Sequence, residues 1–277
     1  MAVITGELGC VDGIGSVRNW MVRTGADHKV YRASNTNRGP GRRKGNVDWS
    51  GRAECTGYQP VKMVRDAFDF TGSVNGAKGV KGACLVDSVE IAIGQEAGDL
   101  IQHTIEFSGN GQLAKDDASV VADVTVPDPP TSIDCIVQIA DCAGAPAYAA
   151  LDEVRSVRLR FSADNKARNT STTGRYTNRT VGNWDMELSI EVFGDDLSAL
   201  PGEEDEKFVK VFVSDILFWE FNAILFGEQS DLLVDPENDE PIGCTLNGGF
   251  TGFYDVGGTA TEGKLVLPDT NNWWPFA

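Results

Sequence analysis

The stretch GNWDMELSIEVFG, residues 182–194, decides the fold class. Trp184, Met186, Leu188, Ile190 and Val192 alternate with polar residues, the period of a strand with one buried face. A helix would return its apolar residues every third or fourth position. Working outward, segments of the same kind recur. VRNWMVR (17–23), KVYRA (29–33), VDWSGRAEC (47–55), FDFTGSV (68–74), CLVDSVEIAI (84–93) and IQHTIEFSG (101–109) are of strand length, and Gly, Asn or Asp clusters separate them. The reading is a mainly β protein with few short helices. Those are expected at AYAALDEVR (147–155) and within DDLSALPGEEDEKF (195–208), where Pro201 and Gly202 limit the second.

The chain also repeats itself. VRNWMVR matches VRSVRLR (154–160), and NVDWSGRAECTG (46–57) matches GNWDMELSIEVFG with Trp49 against Trp184. DFTGSV (69–74) falls where FVKVFV (208–213) does, VEIAIGQEAG (89–98) parallels AILFGEQSD (223–231), and TIEFSGNG (104–111) parallels CTLNGGFTG (244–252). The order is kept at a nearly constant offset, the signature of an internal duplication. VTVPDPPTS (124–132) holds three prolines, which a central strand excludes. The seam is therefore placed there, with residues 1–127 and 128–277 as two tandem domains.

Polar loops of unusual length, ASNTNRGPGRRKG (33–45) and ADNKARNTSTTGRYTNRT (163–180), lie between corresponding strands of the two halves. Loops this long in a compact domain commonly carry function. Charge is segregated around them. Residues 18–65 carry eleven Lys or Arg against three Asp or Glu, and residues 154–180 carry seven against one. Residues 185–262 carry nineteen acidic residues against two basic ones. Opposed fields of this kind suit a subunit that binds further copies of itself head to tail.

The 277 residues are 41% hydrophobic, enough to bury a sizeable core, and the net charge of −17 argues against a whole-surface binder of nucleic acid or anionic membrane. No apolar run has signal-peptide or membrane-span length. Six cysteines (Cys10, Cys55, Cys84, Cys135, Cys142, Cys244) form no CxxC pair and read as free thiols of a reducing compartment, with one disulfide left open. His28 and His103 have no metal-ligand spacing, and neither a GxSxG elbow nor a P-loop is present. DPENDEPIG (235–243) begins like a calcium loop, but Glu240 stands where Gly is needed and no Glu follows at the twelfth place, so it reads as an acidic turn. No catalytic, cofactor or metal site is expected, and no enzyme.

The first half, through NVDWSGRAECTGYQP, FDFTGSV and CLVDSVEIAIGQEAGDLIQHTIEFSGNGQL, resembles the tail tube proteins of long-tailed bacteriophages. Trp49, Gly57, Tyr58, Phe107, Gly109, Asn110 and Gly111 stand at the places of that family's motifs, over about residues 15–113. Residues 154–252 join the resemblance only through the repeat. The resemblance implies two fused tube-type domains, each a β-sandwich flanked by a helix, so that three chains form a pseudo-sixfold ring. Stacked rings would form a conduit for DNA, located in the virion tail and assembled in the host cytoplasm. It implies as partners the chain itself, other tail proteins, and genomic DNA passing through an acidic lumen without specific binding, with no membrane. The basic loops would then bridge stacked rings through Arg38, Arg42, Arg43, Lys44, Arg168, Arg175 and Arg179. Two other readings stand beside it. One is a capsid decoration or cement protein, or another phage structural β protein. The other is a carbohydrate-binding module using Trp273 and Trp274, although those residues read better as a tail docking on a neighbour.

Overall fold

The computed structural model describes residues 14, 17–32, 40–58, 60–73, 79–94, 100–116, 136–142, 145–169, 174–193, 201–202, 205–213, 217–227, 230–233, 243–256, 259–266 and 273–274. The first half supplies β1 (Val17–Ala26), β2 (Lys29–Tyr31), β3 (Gly41–Arg43), β4 (Val47–Thr56), β5 (Ala67–Ser73), β6 (Gly79–Gly94), β7 (Gln102–Gly109) and β8 (Ala114–Asp116). The second supplies β9 (Val137–Asp141), β10 (Ala149–Leu151), β11 (Val154–Ala163), β12 (Lys166–Arg168), β13 (Asn178–Thr180), β14 (Trp184–Phe193), β15 (Glu206–Phe212) and β16 (Phe218–Phe226). After these come β17 (Ser230–Leu233), β18 (Gly243–Phe250), β19 (Phe253–Val256), β20 (Thr259–Glu262), β21 (Lys264–Val266) and β22 (Trp273–Trp274). The protein is mainly β, and no helix occurs among the described residues.

One antiparallel sheet runs through both halves in the order β1-β4-β7-β6-β11-β14-β18-β16-β15-β9-β10, with β5 on β6 and β17 on β18. The sequence β1-β4-β7-β6 is thus followed by β11-β14-β18-β16. The registers match in detail. β1 on β4 runs from Val17↔Cys55 to Ala26↔Val47 with a bulge between Val17 and Asn19. β11 on β14 runs from Val154↔Val192 to Ala163↔Trp184 with a bulge between Val154 and Ser156. Every residue of β11 therefore lies 137 positions after its counterpart in β1.

This register revises two of the sequence matches. Trp184 occupies the place of Val47, and Met186 that of Trp49. Both positions point to the buried side, because side chains two apart share a face. The bulk is redistributed accordingly. Trp49 lies over Gly109 and donates its indole N–H to the Gly111 carbonyl at 3.0 Å, and a Cβ on Gly109 would sit 2.1 Å from that nitrogen. In the second half Trp184 stacks on Phe250, with ring centroids 5.5 Å apart. The other revision concerns VEIAIG. Its partner on β7 is matched in the second half by β17 on β18, since Glu90↔Thr104 corresponds to Ser230↔Thr245, so AILFG aligns with the earlier part of β6.

The alternation read in residues 184–192 holds: Met186, Leu188, Ile190 and Val192 are buried and the residues between them are not. The buried face continues through Val157, Leu159 and Phe161 on β11 and Val89, Ile91 and Ile93 on β6. The sheet folds over this face. Phe70 of β5 packs on Trp20, Trp49 and Phe107 of β1, β4 and β7, its centroid 4.9 Å from that of Phe107. Trp219 of β16 packs on Phe161 of β11 at 5.8 Å.

The helix expected at 147–155 is instead β10, a turn and the start of β11. Glu153 takes a φ of 56°, and its carbonyl accepts the Phe193 N–H at 2.8 Å. Pairing with β9 and β14 thus overrides a local helix preference that nine residues are too short to sustain. The expected helix within 195–208 lies largely outside the described residues, and its last residues, Glu206–Phe208, belong to β15. The expected seam near Pro127–Pro130 also lies outside them. The halves are joined by β6 on β11, from Ser156↔Gly94 to Ser162↔Ser88.

Cys55, Cys84 and Cys244 are buried free thiols and Cys142 is a half-buried one, while Cys10 and Cys135 lie outside the described residues. Burial pushes the Cys55 thiol up to about 12 and Cys142 up to about 11, which suppresses the reactive thiolate. His103 is buried with Nδ1–H donating to the Gly57 carbonyl at 2.9 Å, and its Nε2 has no partner. Burial holds its imidazole below the ordinary value of 6.5, partly opposed by the Gly57 bond, so the folded state keeps it neutral. Below about pH 6.5 the unfolded chain takes up a proton that the folded chain refuses, and stability falls as pH falls. Between pH 6.5 and 5.5 the unfolding free energy is expected to drop by up to about 1 kcal/mol more in the wild type than in His103→Gln. Urea midpoints at both pH values check this. Equal pH dependence in the two proteins would refute it.

Candidate assembly interface

Two β-hairpin arms stand at corresponding places. β2 pairs β3 from Lys29↔Arg43 to Tyr31↔Gly41, and β12 pairs β13 from Lys166↔Thr180 to Arg168↔Asn178. Their bases are pinched alike. The Asp27 N–H donates to the Asn46 carbonyl and the Asp164 N–H to the Asn183 carbonyl, both at 2.9 Å. A Cβ on Gly45 would lie 1.2 Å from the Asp27 carbonyl oxygen, and one on Gly182 would lie 1.7 Å from that of Asp164. Only glycine allows this approach. The Gly-Asn-x-Asp quartets at 45–48 and 182–185 carry this geometry in the sequence. In each quartet the Asp side chain accepts the next residue's backbone N–H at 2.8 Å, Asp48 from Trp49 and Asp185 from Met186.

The second arm reaches across the seam onto the first half. Arg175 donates from Nε and Nη2 to the Gly45 carbonyl at 3.2 and 3.1 Å. Its own carbonyl accepts the Val47 N–H at 2.6 Å, and the Thr177 N–H returns to the Val47 carbonyl at 3.2 Å. The Gly111 N–H donates to the Thr177 carbonyl at 2.9 Å. Arg179 donates its backbone N–H to Asn110 Oδ1 at 2.8 Å. Its guanidinium grips Asp48 in two-pronged fashion, Nη1 to Oδ1 at 2.9 Å and Nη2 to Oδ2 at 2.6 Å, and also donates to the Gly109 carbonyl. With the Arg179 side chain only 11% exposed, this is the strong, planar type of charge-assisted pair. Asn165 completes the contact, donating to the Val86 carbonyl at 3.0 Å and to Asp87 Oδ1 at 2.8 Å.

Of the basic residues expected at contacts, Arg175 and Arg179 are therefore engaged inside the chain. Arg42, Arg43, Lys44 and Arg168 are exposed, with Arg43 lying over the Tyr31 ring at 5.8 Å. Arg38 lies outside the described residues, as does the acidic stretch 234–242. Trp273 and Trp274 form β22 on β21. Asp48, Asn110 and Asn165 were not singled out as contact residues. Only the recurrence of Gly-Asn-x-Asp could have drawn attention to the carboxylate.

Several strands of the sheet are paired on one side only, β1, β5, β8, β10 and β17 among them, and two of these edges, on β1 and β17, correspond to edges that pair inside the chain. Among the described residues β1 pairs only β4, and β17 pairs only β18. Their counterparts, β11 and the later part of β6, pair with each other. The sheet's open face is polar and charge-matched. Arg52 meets Glu54 at 3.0 Å, Arg155 meets Glu191 at 3.3 Å, Arg158 meets Glu90 at 3.3 Å and Arg160 meets Glu187 at 3.7 Å. Exposed pairs of this kind contribute about 0–1 kcal/mol each. Two hollows on this face repeat as well. One of about 750 Å³ is lined by Arg158, Arg160 and Glu187, and one of about 290 Å³ by their counterparts Met21, Arg23 and Ser50. No helix is long and apolar enough to cross a membrane among the described residues. No protein-family model matches this chain, and no curated protein matches its sequence.

Proposed function

We propose that the chain is a duplicated structural subunit of a phage tail tube, three copies closing into a pseudo-sixfold ring that stacks into a conduit for DNA. One observation carries the reading: the β6–β11 pairing uses, inside the chain, the edges whose counterparts on β17 and β1 have no partner among the described residues. Repeating that pairing between chains joins β17 of one copy to β1 of the next. The result covers both of these edges, the kind of hazard that open sheets must manage. The shared strand order and register support the duplication.

Three chains, each giving β1, β4, β7, β6, β11, β14, β18 and β17, would close a barrel of roughly 40–50 Å backbone diameter at ordinary strand spacing and tilt. That leaves room for a duplex. The layer formed by β5, β15 and β16 would lie outside and the open polar face inside. The four ion pairs make that face balanced rather than acidic, so the acidic lumen gives way to a wall with little net attraction for phosphate. The work is mechanical, with no catalytic step and no cofactor. The partners are further copies, other tail proteins and passing DNA, and the place is the virion tail. Arg43, Lys44 and Arg168, exposed on the arms, would meet the next ring.

Electron microscopy of the purified protein tests this reading. Open rings with six similar lobes, stacking into tubes at high protein concentration, are expected. Capped trimers without stacks would favour a capsid decoration protein, and dispersed monomers would overturn the ring.

A further inference from the structure

We infer that Arg42 of one chain closes on Asp185 of the neighbouring chain, forming the latch that Arg179 and Asp48 form within each chain. The inference rests on the ring reading and assigns its chain-to-chain contact to two residues. Arg42 stands opposite Val30 on β3, as Arg179 stands opposite Ala167 on β13, so the two arginines share one register position. Asp185 stands opposite Ser162 on β11, as Asp48 stands opposite Gly25 on β1, so the two carboxylates share another. Each Asp spends Oδ1 on the following backbone N–H. Asp48 Oδ2 then receives Arg179 at 2.6 Å. Among the described residues Asp185 has no cation, and Arg42 has no carboxylate.

The geometry leading to the pair is repeated too. The second arm follows β11, the strand that pairs β6, and so reaches the base of the first arm on the other side of the seam. The first arm follows β1. Once β1 lies on β17 of the neighbouring chain, the same reach brings Arg42 to the base of that chain's second arm, where Gly182 and Asp185 take the places of Gly45 and Asp48. The contact is lateral, between neighbours in one ring. It also accounts for the charge segregation, because the basic first arm meets a carboxylate of the acidic second half.

The test measures the half-assembly concentration by sedimentation at about 0.15 M salt, where distant charges are screened and close pairs persist. Arg42→Asp and Asp185→Arg are each expected to raise it by about tenfold or more. The double exchange should return it to within about threefold of wild type. Asp185→Asn, which keeps an oxygen for the Met186 N–H, should weaken assembly without lowering the urea midpoint of the subunit. Arg179→Ala, the counterpart inside the chain, should lower that midpoint, whereas Arg42→Asp should not. A wild type that remains monomeric overturns the ring and the latch together. A wild type that assembles while Arg42→Asp assembles equally well, or a double exchange no better than the single ones, overturns the latch and leaves the ring standing.

Discussion

Replacing Trp219 by alanine is expected to destabilise the subunit by about 3–5 kcal/mol, the usual range for losing a large aromatic from a packed core. Trp219 is fully buried on β16, packed against Phe161 at 5.8 Å and stacked nearly parallel to Phe221 at 6.4 Å. It fastens the folded-over layer to the main sheet, so its removal leaves a cavity that strands paired on both sides cannot collapse into. A loss of this size is a large part of the roughly 5–15 kcal/mol that holds a domain together. Trp219→Phe should cost much less. It keeps most of the apolar bulk and removes an indole N–H that has no partner in its buried site. Urea unfolding of the two variants beside wild type checks both expectations. A loss below about 1 kcal/mol for Trp219→Ala would mean that the two layers are not fastened there.

Cysteines placed at Arg23 and Ser230 are expected to join chains into a closed trimer. Glu90 stands opposite both Arg160 on β11 and Thr104 on β7. The counterpart of Arg160 is Arg23, and Ser230 takes the place of Glu90 by its pairing with Thr245. The β17–β1 pairing therefore sets Ser230 of one chain opposite Arg23 of the next. Directly opposed residues of an antiparallel pair have Cα atoms about 4.5–5.5 Å apart, within reach of a disulfide or a short bis-maleimide. The native thiols Cys55, Cys84 and Cys142 are poor competitors, because burial holds each of them in the protonated form. Treatment of Arg23→Cys/Ser230→Cys should give a terminal band near three times the 29.8 kDa chain, and either single variant should give none. A ladder of ever longer products would show edge pairing without closure. Absence of any product from the assembled double variant would refute the register.

The strands were legible from one residue to the next. Alternation in 184–192 and Gly, Asn or Asp punctuation elsewhere place β1, β2, β4, β5, β6, β7 and β14 close to their positions, because burial of one sheet face is written into the sequence at period two. The likeness in strand order between the two halves was legible in outline for the same reason. Its register was not, since large side chains drew the eye to Trp49 and Trp184, whereas pairing with β1 and β11 sets the counterparts two residues apart. The short β10 was missed because Ala149–Leu151 has no strand pattern of its own and is extended only through its partner β9.

The sequence by itself determined that the chain has apolar residues enough for a large β core and that most of its basic residues cluster in two segments, 18–65 and 154–180, that contain the long loops. Only the tertiary structure decided which of their arginines are engaged within the chain. Arg175 and Arg179 look like Arg38 and Arg42 in the sequence, four basic residues in two matching loops. The difference is that β11 lies between β14 and β6 of the same chain, while among the described residues β1 has β4 on one side and no strand on the other. Strand pairing between distant segments cannot be read from local pattern, because it depends on which edges remain free after every nearer pair has formed. The same physics that made the sheet continuous between the halves left β1 and β17 each with one open edge among the described residues.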